Sequence, residues 1–318
     1  GFTGTDSFTY TVADGHGGTD TAAVTLDIDR PQITASAPGA QVFGRRGPDV
    51  IEGTDGDETL LGGPGADELS GGAGHDTASY LDSEEGVAIG LADGPGRGGT
   101  AEGDVLSGIE ALVGSAFDDR LNGDAGANDL KGGGGDDTLT GRAGADALSG
   151  GPGRDAASYA EAAAGVVAEL WTGGGRGGTA DGDTYKSIED LIGSAYDDLL
   201  FGDAGANTLY GRDGDDVLGS GGGADVLYAG DGNDVLNGGA QGDLFGGGSG
   251  TDTVDYGSSG EGVYVKLFDG SGRFGDAEGD RLYGIENLDG SAYDDLLFGD
   301  GGANTLYGRE GADVLGSG

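Results

Sequence analysis

A nine-residue pattern recurs through most of this 318-residue chain and limits the folds open to it. Each copy reads Gly-Gly-x-Gly-x-Asp-x-apolar-x, as in GGPGADELS and GGAGHDTAS at residues 62–79. The copies form four blocks of four, five, seven and three, at 44–79, 114–158, 193–255 and 290–316. A short fixed period predicts a repeat fold in which each copy stacks on its neighbours.

Each position of the pattern has a physical role. Glycines at positions one, two and four permit turns with positive φ and close approach of the backbone, and such turns expose carbonyl oxygens. Positions seven to nine form a short strand with one inward apolar residue. One apolar residue per copy is sufficient because stacked strands pool these residues into a continuous core.

Position six carries an oxygen donor in every copy. A carboxylate beside exposed carbonyl groups makes an all-oxygen ligand set, which suits Ca²⁺ and not zinc or copper. A solvated acidic surface explains the pattern less well, since surface charge has no reason to keep a nine-residue register. We therefore predict several bound Ca²⁺ ions. The predicted metal ligands are Asp49, Glu58, Asp67, Asp76, Asp119, Asn128, Asp137, Asp146, Asp155, Asp198, Asn207, Asp216, Asp225, Asp234, Asp243, Asp252, Asp295, Asn304 and Asp313.

The charge and composition of the chain limit the kinds of ligand and partner that it can bind. The chain has 58 acidic and 15 basic side chains, a formal net charge of -43, and this balance repels nucleic acid and invites cations. Only 35% of residues are apolar, so the core needs support from a ligand. There is no Cys, which excludes disulfides and zinc thiolate sites. With only two His, neither a metalloprotease helix nor a serine triad is available, and we expect no catalytic residues and no enzyme.

The repeats resemble the calcium-binding repeats-in-toxin (RTX) family. The resemblance covers most of residues 44–318 and implies an all-β fold, a parallel β-roll in which two nonads complete one turn and Ca²⁺ ions lie in rows between turns. The chain offers an internal check on the turn length. GSAFDDRLN and two copies of GSAYDDLLF begin at 114, 193 and 290, and their separations, 79 and 97 residues, differ by 18, which is two nonads.

The blocks are joined by three connectors of equal length, at 80–113, 159–192 and 256–289. Alternating residues such as Val87, Ile89 and Leu91 predict a half-buried strand, followed by a Gly-rich loop and a short apolar return. We expect residues 30–43 to contain a linker and, from 35, a degenerate nonad that caps the roll without an ion. Block 4, at 290–318, stops inside a repeat.

Residues 1–29 differ in character from the repeats. DSFTYTVAD and TDTAAVTLDI alternate apolar and polar residues on either side of DGHGG, which predicts a β-hairpin. The stretch resembles the closing strands of a cadherin-like or bacterial Ig-like β-sandwich from a secreted adhesin. We interpret it as part of a domain that begins upstream.

Several features leave alternatives open. Asp118, Asp197 and Asp294, at position five, are either extra ligands or surface charge, whereas surface charge is favoured for Asp124, Asp203 and Asp300, at position two. Trp171 either packs against the roll, which is favoured, or stacks on a sugar. Arg97, Arg176 and Arg273 recur with Asp104, Asp183, Asp280, Glu110, Glu189 and Glu286, which favours a structural ion pair in each connector.

The favoured function is a calcium-binding structural segment of a large secreted or cell-surface protein of the adhesin, surface-layer or matrix type. One alternative is the secretion and folding module of an exported enzyme, and another is a carbohydrate-binding module. The expected partners are calcium ions, with other surface proteins or glycans as further candidates, and neither nucleic acid nor membrane insertion is expected, since no apolar run reaches the roughly 18 residues of a membrane span. The resemblance implies a bacterial protein exported by type I secretion.

Overall fold

The computed structural model describes residues 4–13, 19–28 and 32–317. Near the N-terminus, β1 (Gly4–Ala13) and β2 (Thr19–Ile28) pair antiparallel, with Gly4 opposite Ile28 and Ala13 opposite Thr19. This pairing agrees with the hairpin predicted for residues 1–29. The predicted turn at 14–18 lies outside the described residues.

In the four blocks, each nonad contributes one short strand at positions seven to nine. The strands up to the end of block 1 are β3 (Gln32–Thr34), β4 (Gln41–Phe43), β5 (Val50–Glu52), β6 (Thr59–Leu61), β7 (Glu68–Ser70) and β8 (Thr77–Ser79). β3 lies in the stretch where we expected a linker, yet it pairs in parallel with β5 as the first strand of the roll.

The connectors also contain strands, together with three short 3-10 helices at Gly99–Ala101, Gly178–Ala180 and Gly275–Ala277. The first connector has β9 (Ala88–Gly90), β10 (Val105–Ser107) and β11 (Ala111–Val113). Block 2 then has β12 (Arg120–Asn122), β13 (Asp129–Lys131), β14 (Thr138–Thr140), β15 (Ala147–Ser149) and β16 (Ala156–Ser158). The second connector has β17 (Val167–Glu169), β18 (Gly174–Arg176), β19 (Thr184–Lys186) and β20 (Asp190–Ile192).

The remaining strands repeat this plan. Block 3 has β21 (Leu199–Phe201), β22 (Thr208–Asp213), β23 (Val217–Gly219), β24 (Val226–Gly232), β25 (Val235–Asn237), β26 (Leu244–Gly250) and β27 (Thr253–Asp255). The third connector has β28 (Tyr264–Lys266), β29 (Ser271–Arg273), β30 (Arg281–Tyr283) and β31 (Asn287–Asp289). Block 4 has β32 (Leu296–Phe298), β33 (Thr305–Tyr307) and β34 (Val314–Gly316).

Strands 18 residues apart lie side by side in parallel, so two nonads make one turn. Leu218 is opposite Leu236, and Leu209 is opposite Leu227. Successive nonads alternate between a 15-stranded sheet on one face and a 4-stranded and a 13-stranded sheet on the other. The predicted all-β parallel roll is therefore confirmed.

The core is a column of position-eight side chains held between the two faces. Leu200, Leu209, Leu218 and Leu227 are each 0% exposed. One residue per strand fills the narrow space, because the facing strands are joined by tight turns. A methyl group on Gly230, whose φ is +119°, would overlap the carbonyl oxygen of Arg212 in the previous turn. The glycines thus set the spacing that keeps the column packed.

The second and third connectors each insert an antiparallel strand into one face of the roll, and the first connector has a single antiparallel bridge between Ala88 and Arg97 at the corresponding place. In the second connector, β19 pairs with β15, β17 pairs with β21, and β18 lies between β17 and β19 in the antiparallel sense. On the other face β20 continues the stacking between β16 and β22. The Gly-rich segment expected to be a loop is therefore part of the sheet.

Candidate calcium sites

The position-six carboxylates form ladders that run from turn to turn. The backbone N–H of Asp198 donates to Asp216 Oδ1 at 2.8 Å, and that of Asp216 donates to Asp234 Oδ1 at 2.8 Å. The other row has the same geometry, with Asp225 N–H donating to Asp243 Oδ1 at 2.8 Å. One oxygen of each of these carboxylates is thus held in place by the neighbouring turn.

The second oxygen of many of these carboxylates is buried without a hydrogen-bond donor. Within residues 32–317, nine predicted ligands have an Oδ2 of this kind, and each of these residues is at most 2% exposed. They are Asp76, Asp137, Asp146, Asp155, Asp216, Asp225, Asp234, Asp243 and Asp252. We call these the open carboxylates. A buried carboxylate oxygen without a donor is unfavourable unless a cation or a donor satisfies it.

Backbone carbonyl oxygens approach the same spaces as the open carboxylates. A Cβ built on Gly211, at position one, would overlap Asp216 Oδ2 and lie 2.6 Å from the carbonyl oxygen of Ala229 in the next turn. A Cβ on Gly150 would likewise overlap Asp155 Oδ2 and the carbonyl oxygen of Ser187. The absence of a side chain at position one therefore leaves a space lined by oxygens. A mixed set of carboxylate and carbonyl oxygens is what a hard cation such as Ca²⁺ requires.

Among the described residues, no cluster of three or more Asp, Glu or His side chains has a metal-binding arrangement. The candidate sites instead consist of single carboxylates spaced one turn apart along each row. This spacing distinguishes them from a compact side-chain cage.

Burial makes ionisation of the open carboxylates unfavourable. It raises the pKa of Asp137, Asp146 and Asp216 to about 7, and that of Asp243 to about 8. Neighbouring carboxylates add to the effect, as Asp198 and Asp234 do for the pKa of Asp216. A bound cation would remove this penalty because it stabilises the charged form.

Seven other predicted ligands differ, because donors in the protein occupy their side-chain oxygens. Ser194 N–H donates to Asp198 Oδ2 at 2.6 Å, and Ser194 Oγ donates to Asp198 Oδ1 at 2.9 Å. Asn207 Oδ1 accepts from Asp203 N–H at 2.9 Å. The seven are Glu58, Asp119, Asn128, Asp198, Asn207, Asp295 and Asn304. In these residues local hydrogen bonds already use side-chain oxygens, and their role as metal ligands stays a prediction.

Three predicted ligands lie outside these two groups. Asp49 accepts from Arg45 N–H and lies 3.6 Å from the Arg45 guanidinium. Asp67 Oδ1 accepts from Asp49 N–H at 2.7 Å, and Asp67 is fully buried. Asp313 Oδ1 accepts from Asp295 N–H at 3.0 Å in the last turn described. All three take the ladder position that the register predicts.

The sequence reasoning missed six acidic residues in the connectors that belong to the ladders. Asp146 N–H donates to Asp183 Oδ1 at 2.9 Å, and Asp155 N–H donates to Glu189 Oε2 at 2.9 Å. Asp104, Asp280, Glu110 and Glu286 have the same role in the other connectors. Their recurrence at fixed places in all three connectors was the available signal. The expected ion pair is wrong in the second connector, where Arg176 pairs with Glu169.

Hydrogen bonds and exposure describe the surroundings of the residues for which the sequence leaves alternatives open. Asp118 Oδ1 accepts from Asp136 N–H one turn later, so position five forms a second, exposed ladder. Asp203 Oδ1 accepts from Gly205 N–H and closes its own turn. Trp171 is 67% exposed, so the favoured packing against the roll was wrong.

The repeats match the sequence model of the RTX calcium-binding nonapeptide repeat at residues 43–78, 104–139, 122–156, 188–218, 219–254 and 274–315, more than half of the chain. The chain belongs to this family. Residues 1–27 match the bacterial Ig domain. No curated protein matches the chain. None of the helices in the described ranges is long and apolar enough to cross a membrane.

Proposed function

We propose that this chain is a calcium-folded structural segment of a large secreted or cell-surface RTX protein of the adhesin, surface-layer or matrix type. The observation that carries the proposal is the set of nine open carboxylates, each buried with one oxygen that accepts no hydrogen bond within residues 32–317. With a net charge of -43, the chain has too few basic side chains to neutralise them. An external cation is the remaining source of positive charge.

The carboxylates, glycines and carbonyl groups of each turn have different roles in binding the cation. The ladder hydrogen bond fixes Oδ1 of each open carboxylate and so directs Oδ2 toward the space beside the position-one glycine. The carbonyl oxygens of the next turn complete the oxygen lining of that space. Ca²⁺, when bound, supplies the positive charge that lets these carboxylates be both buried and ionised.

Whether the chain folds then depends on the Ca²⁺ concentration around it. Because the rows exist only when the turns are stacked, Ca²⁺ binds the folded roll far better than the unfolded chain and stabilises it by mass action. Sites of the weak, extracellular kind fill at about millimolar Ca²⁺ and stay empty at cytosolic levels. The chain would therefore stay unfolded inside the cell and fold outside it, which suits type I secretion.

The shape of the roll supports a role as a spacer. Its longest continuous sheet has 15 strands, and at about 4.8 Å between strands this gives a rod roughly 70 Å long. The match of residues 1–27 to the bacterial Ig domain favours a surface protein over an exported enzyme, because Ig-like domains and a rigid roll both extend a chain. Calcium ions are the proposed partners, with surface proteins or glycans as further candidates.

Small-angle X-ray scattering of the 318-residue chain in Ca²⁺ and in EGTA tests this function. In about 5 mM Ca²⁺, enough to fill weak extracellular sites, we expect rod-like scattering. In EGTA we expect a radius of gyration approaching the roughly 60 Å of an unfolded chain of this length. A rod of the same dimensions in both buffers would refute the proposal.

A further inference from the structure

The carboxylate rows do not run unbroken along the roll. In the second connector, one row reaches Asp183 and starts again at Asp198, on either side of the inserted antiparallel strand β18. The first and third connectors interrupt a row in the same way, between Asp104 and Asp119 and between Asp280 and Asp295. β18 separates β19, which follows Asp183, from β17, the parallel neighbour of the strand β21 that follows Asp198.

On the N-terminal side of each insert, a buried tyrosine covers the last carboxylate of the row. Tyr159 donates its hydroxyl to Asp183 Oδ2 at 2.8 Å, and Tyr256 donates to Asp280 Oδ2 at 2.7 Å. Tyr80 makes the same bond to Asp104 Oδ2 at 3.3 Å. The three tyrosines are the first residues of their connectors and are at most 3% exposed. The oxygen that is open in a regular turn is therefore satisfied here by a phenol.

On the C-terminal side, a serine and a backbone amide cover the first carboxylate of the next row. Asp198 Oδ1 accepts from Val166 N–H at 2.7 Å and from Ser194 Oγ at 2.9 Å, and Asp198 Oδ2 accepts from Ser194 N–H at 2.6 Å. The same donors serve the other two connectors, Ser115 and Val87 for Asp119, and Ser291 and Val263 for Asp295. Each of these serines is the second residue of a GSA sequence.

These six carboxylates have the donors that the open carboxylates lack. N–H and O–H donors occupy these oxygens in place of a cation. Burial still raises the pKa of Asp119, Asp183, Asp198 and Asp280, and it outweighs the donors, which lower the pKa of these carboxylates. We propose that Asp104, Asp119, Asp183, Asp198, Asp280 and Asp295 bind no calcium and instead end the calcium rows. The connectors then join separate calcium-binding segments through junctions that are held by hydrogen bonds alone. This inference rests on the proposed function, since it assigns which ladder positions take the cation.

Two neighbouring ladder residues provide a matched test. Asp198 and Asp216 lie one turn apart in the same row, but only Asp198 is covered by donors. The calcium bound at saturation is counted by native mass spectrometry for the wild-type chain, Asp198→Asn and Asp216→Asn. We expect Asp216→Asn to lose bound calcium and Asp198→Asn to keep the wild-type number while its melting temperature falls. A loss of calcium in Asp198→Asn, or full occupancy in Asp216→Asn, would overturn the inference.

Two milder variants keep the test valid if Asp198→Asn does not fold. Ser194→Ala and Tyr256→Phe each remove one donor and leave the carboxylate in place. An unchanged or higher calcium count, with a lower melting temperature in saturating Ca²⁺, supports the inference, because the donor and the cation are then alternatives. A lower count in either variant refutes it. If the wild-type chain binds no calcium at all, the proposed function fails, which is a separate result.

Discussion

Replacing Gly211 with alanine tests whether the space beside a position-one glycine is a cation site. The φ of Gly211 lies outside the left-handed region, so alanine imposes no backbone strain there. Its Cβ would overlap Asp216 Oδ2 and lie 2.6 Å from the Ala229 carbonyl oxygen, about 0.8 Å short of the 3.4 Å at which ordinary contact begins. The two turns must therefore move apart at the point where their oxygens converge.

The expected loss of stability has two parts. Ca–O distances of about 2.3–2.6 Å tolerate little displacement, so the variant loses one site. For a Kd of ~10⁻⁴ M at about 1 mM Ca²⁺, that site contributes roughly 1.4 kcal/mol to the free energy of unfolding. Overpacking of the turns adds about 1–3 kcal/mol, which gives a total loss of roughly 2–4 kcal/mol.

Far-UV circular dichroism at increasing Ca²⁺ measures the effect. We expect Gly211→Ala to fold at a higher Ca²⁺ concentration than wild type and to melt several degrees lower in about 1 mM Ca²⁺. Gly301→Ala is the control, because Gly301 lies in the same kind of turn with open space around its Cα and an ordinary φ. If both variants fold at the wild-type Ca²⁺ concentration, the space beside Gly211 is not a cation site.

Two further predictions follow from the core and the open carboxylates. Leu227→Ala, at a position that is 0% exposed, should lower the free energy of unfolding by about 2–5 kcal/mol in saturating Ca²⁺; a loss below about 1 kcal/mol in denaturant titrations would contradict the packed column. The pKa of Asp137 is raised to about 7 and that of Asp243 to about 8 in the folded roll, whereas an Asp in the unfolded chain has a pKa of about 3.9. Between about pH 4 and pH 8 the calcium-free roll therefore binds more protons than the unfolded chain does. The stability of the calcium-free roll relative to the unfolded chain should rise as the pH falls from about 8 toward about 4, and Ca²⁺ affinity should fall over the same window; a far-UV circular dichroism signal for β-sheet in calcium-depleted buffer that is weaker at about pH 5.5 than at about pH 7.5 would contradict this.

The nonad blocks were predictable because their information is local. A pattern that fixes glycine, carboxylate and apolar residue within nine positions determines the turn, the ladder residue and the core residue together. Leu218 and Leu236 pair as the 18-residue turn requires, and Asp216 and Asp234 take adjacent ladder places. The fold of the nonad blocks can thus be predicted from the spacing of the repeat alone.

The connectors were less predictable because insertions hide the register. Asp183 pairs with Asp146 across 37 residues, a spacing that no multiple of nine provides. Tyr159 resembles an ordinary core aromatic in the sequence, and its role emerges only when the fold places its hydroxyl against Asp183. Ser194 resembles a simple replacement of glycine at position two, yet its hydroxyl and its backbone N–H both donate hydrogen bonds to the Asp198 carboxylate. Whether a carboxylate is open or covered depends on these distant or irregular partners.

We propose that folding of the roll depends on calcium. Far-UV circular dichroism of the 318-residue chain, titrated from EGTA to about 10 mM Ca²⁺ with Mg²⁺ as the control, tests it most directly. We predict a cooperative gain of β-sheet signal near millimolar Ca²⁺ that Mg²⁺ does not produce. A full β-sheet signal in EGTA would contradict the claim, since the buried carboxylates would then be tolerated without a cation.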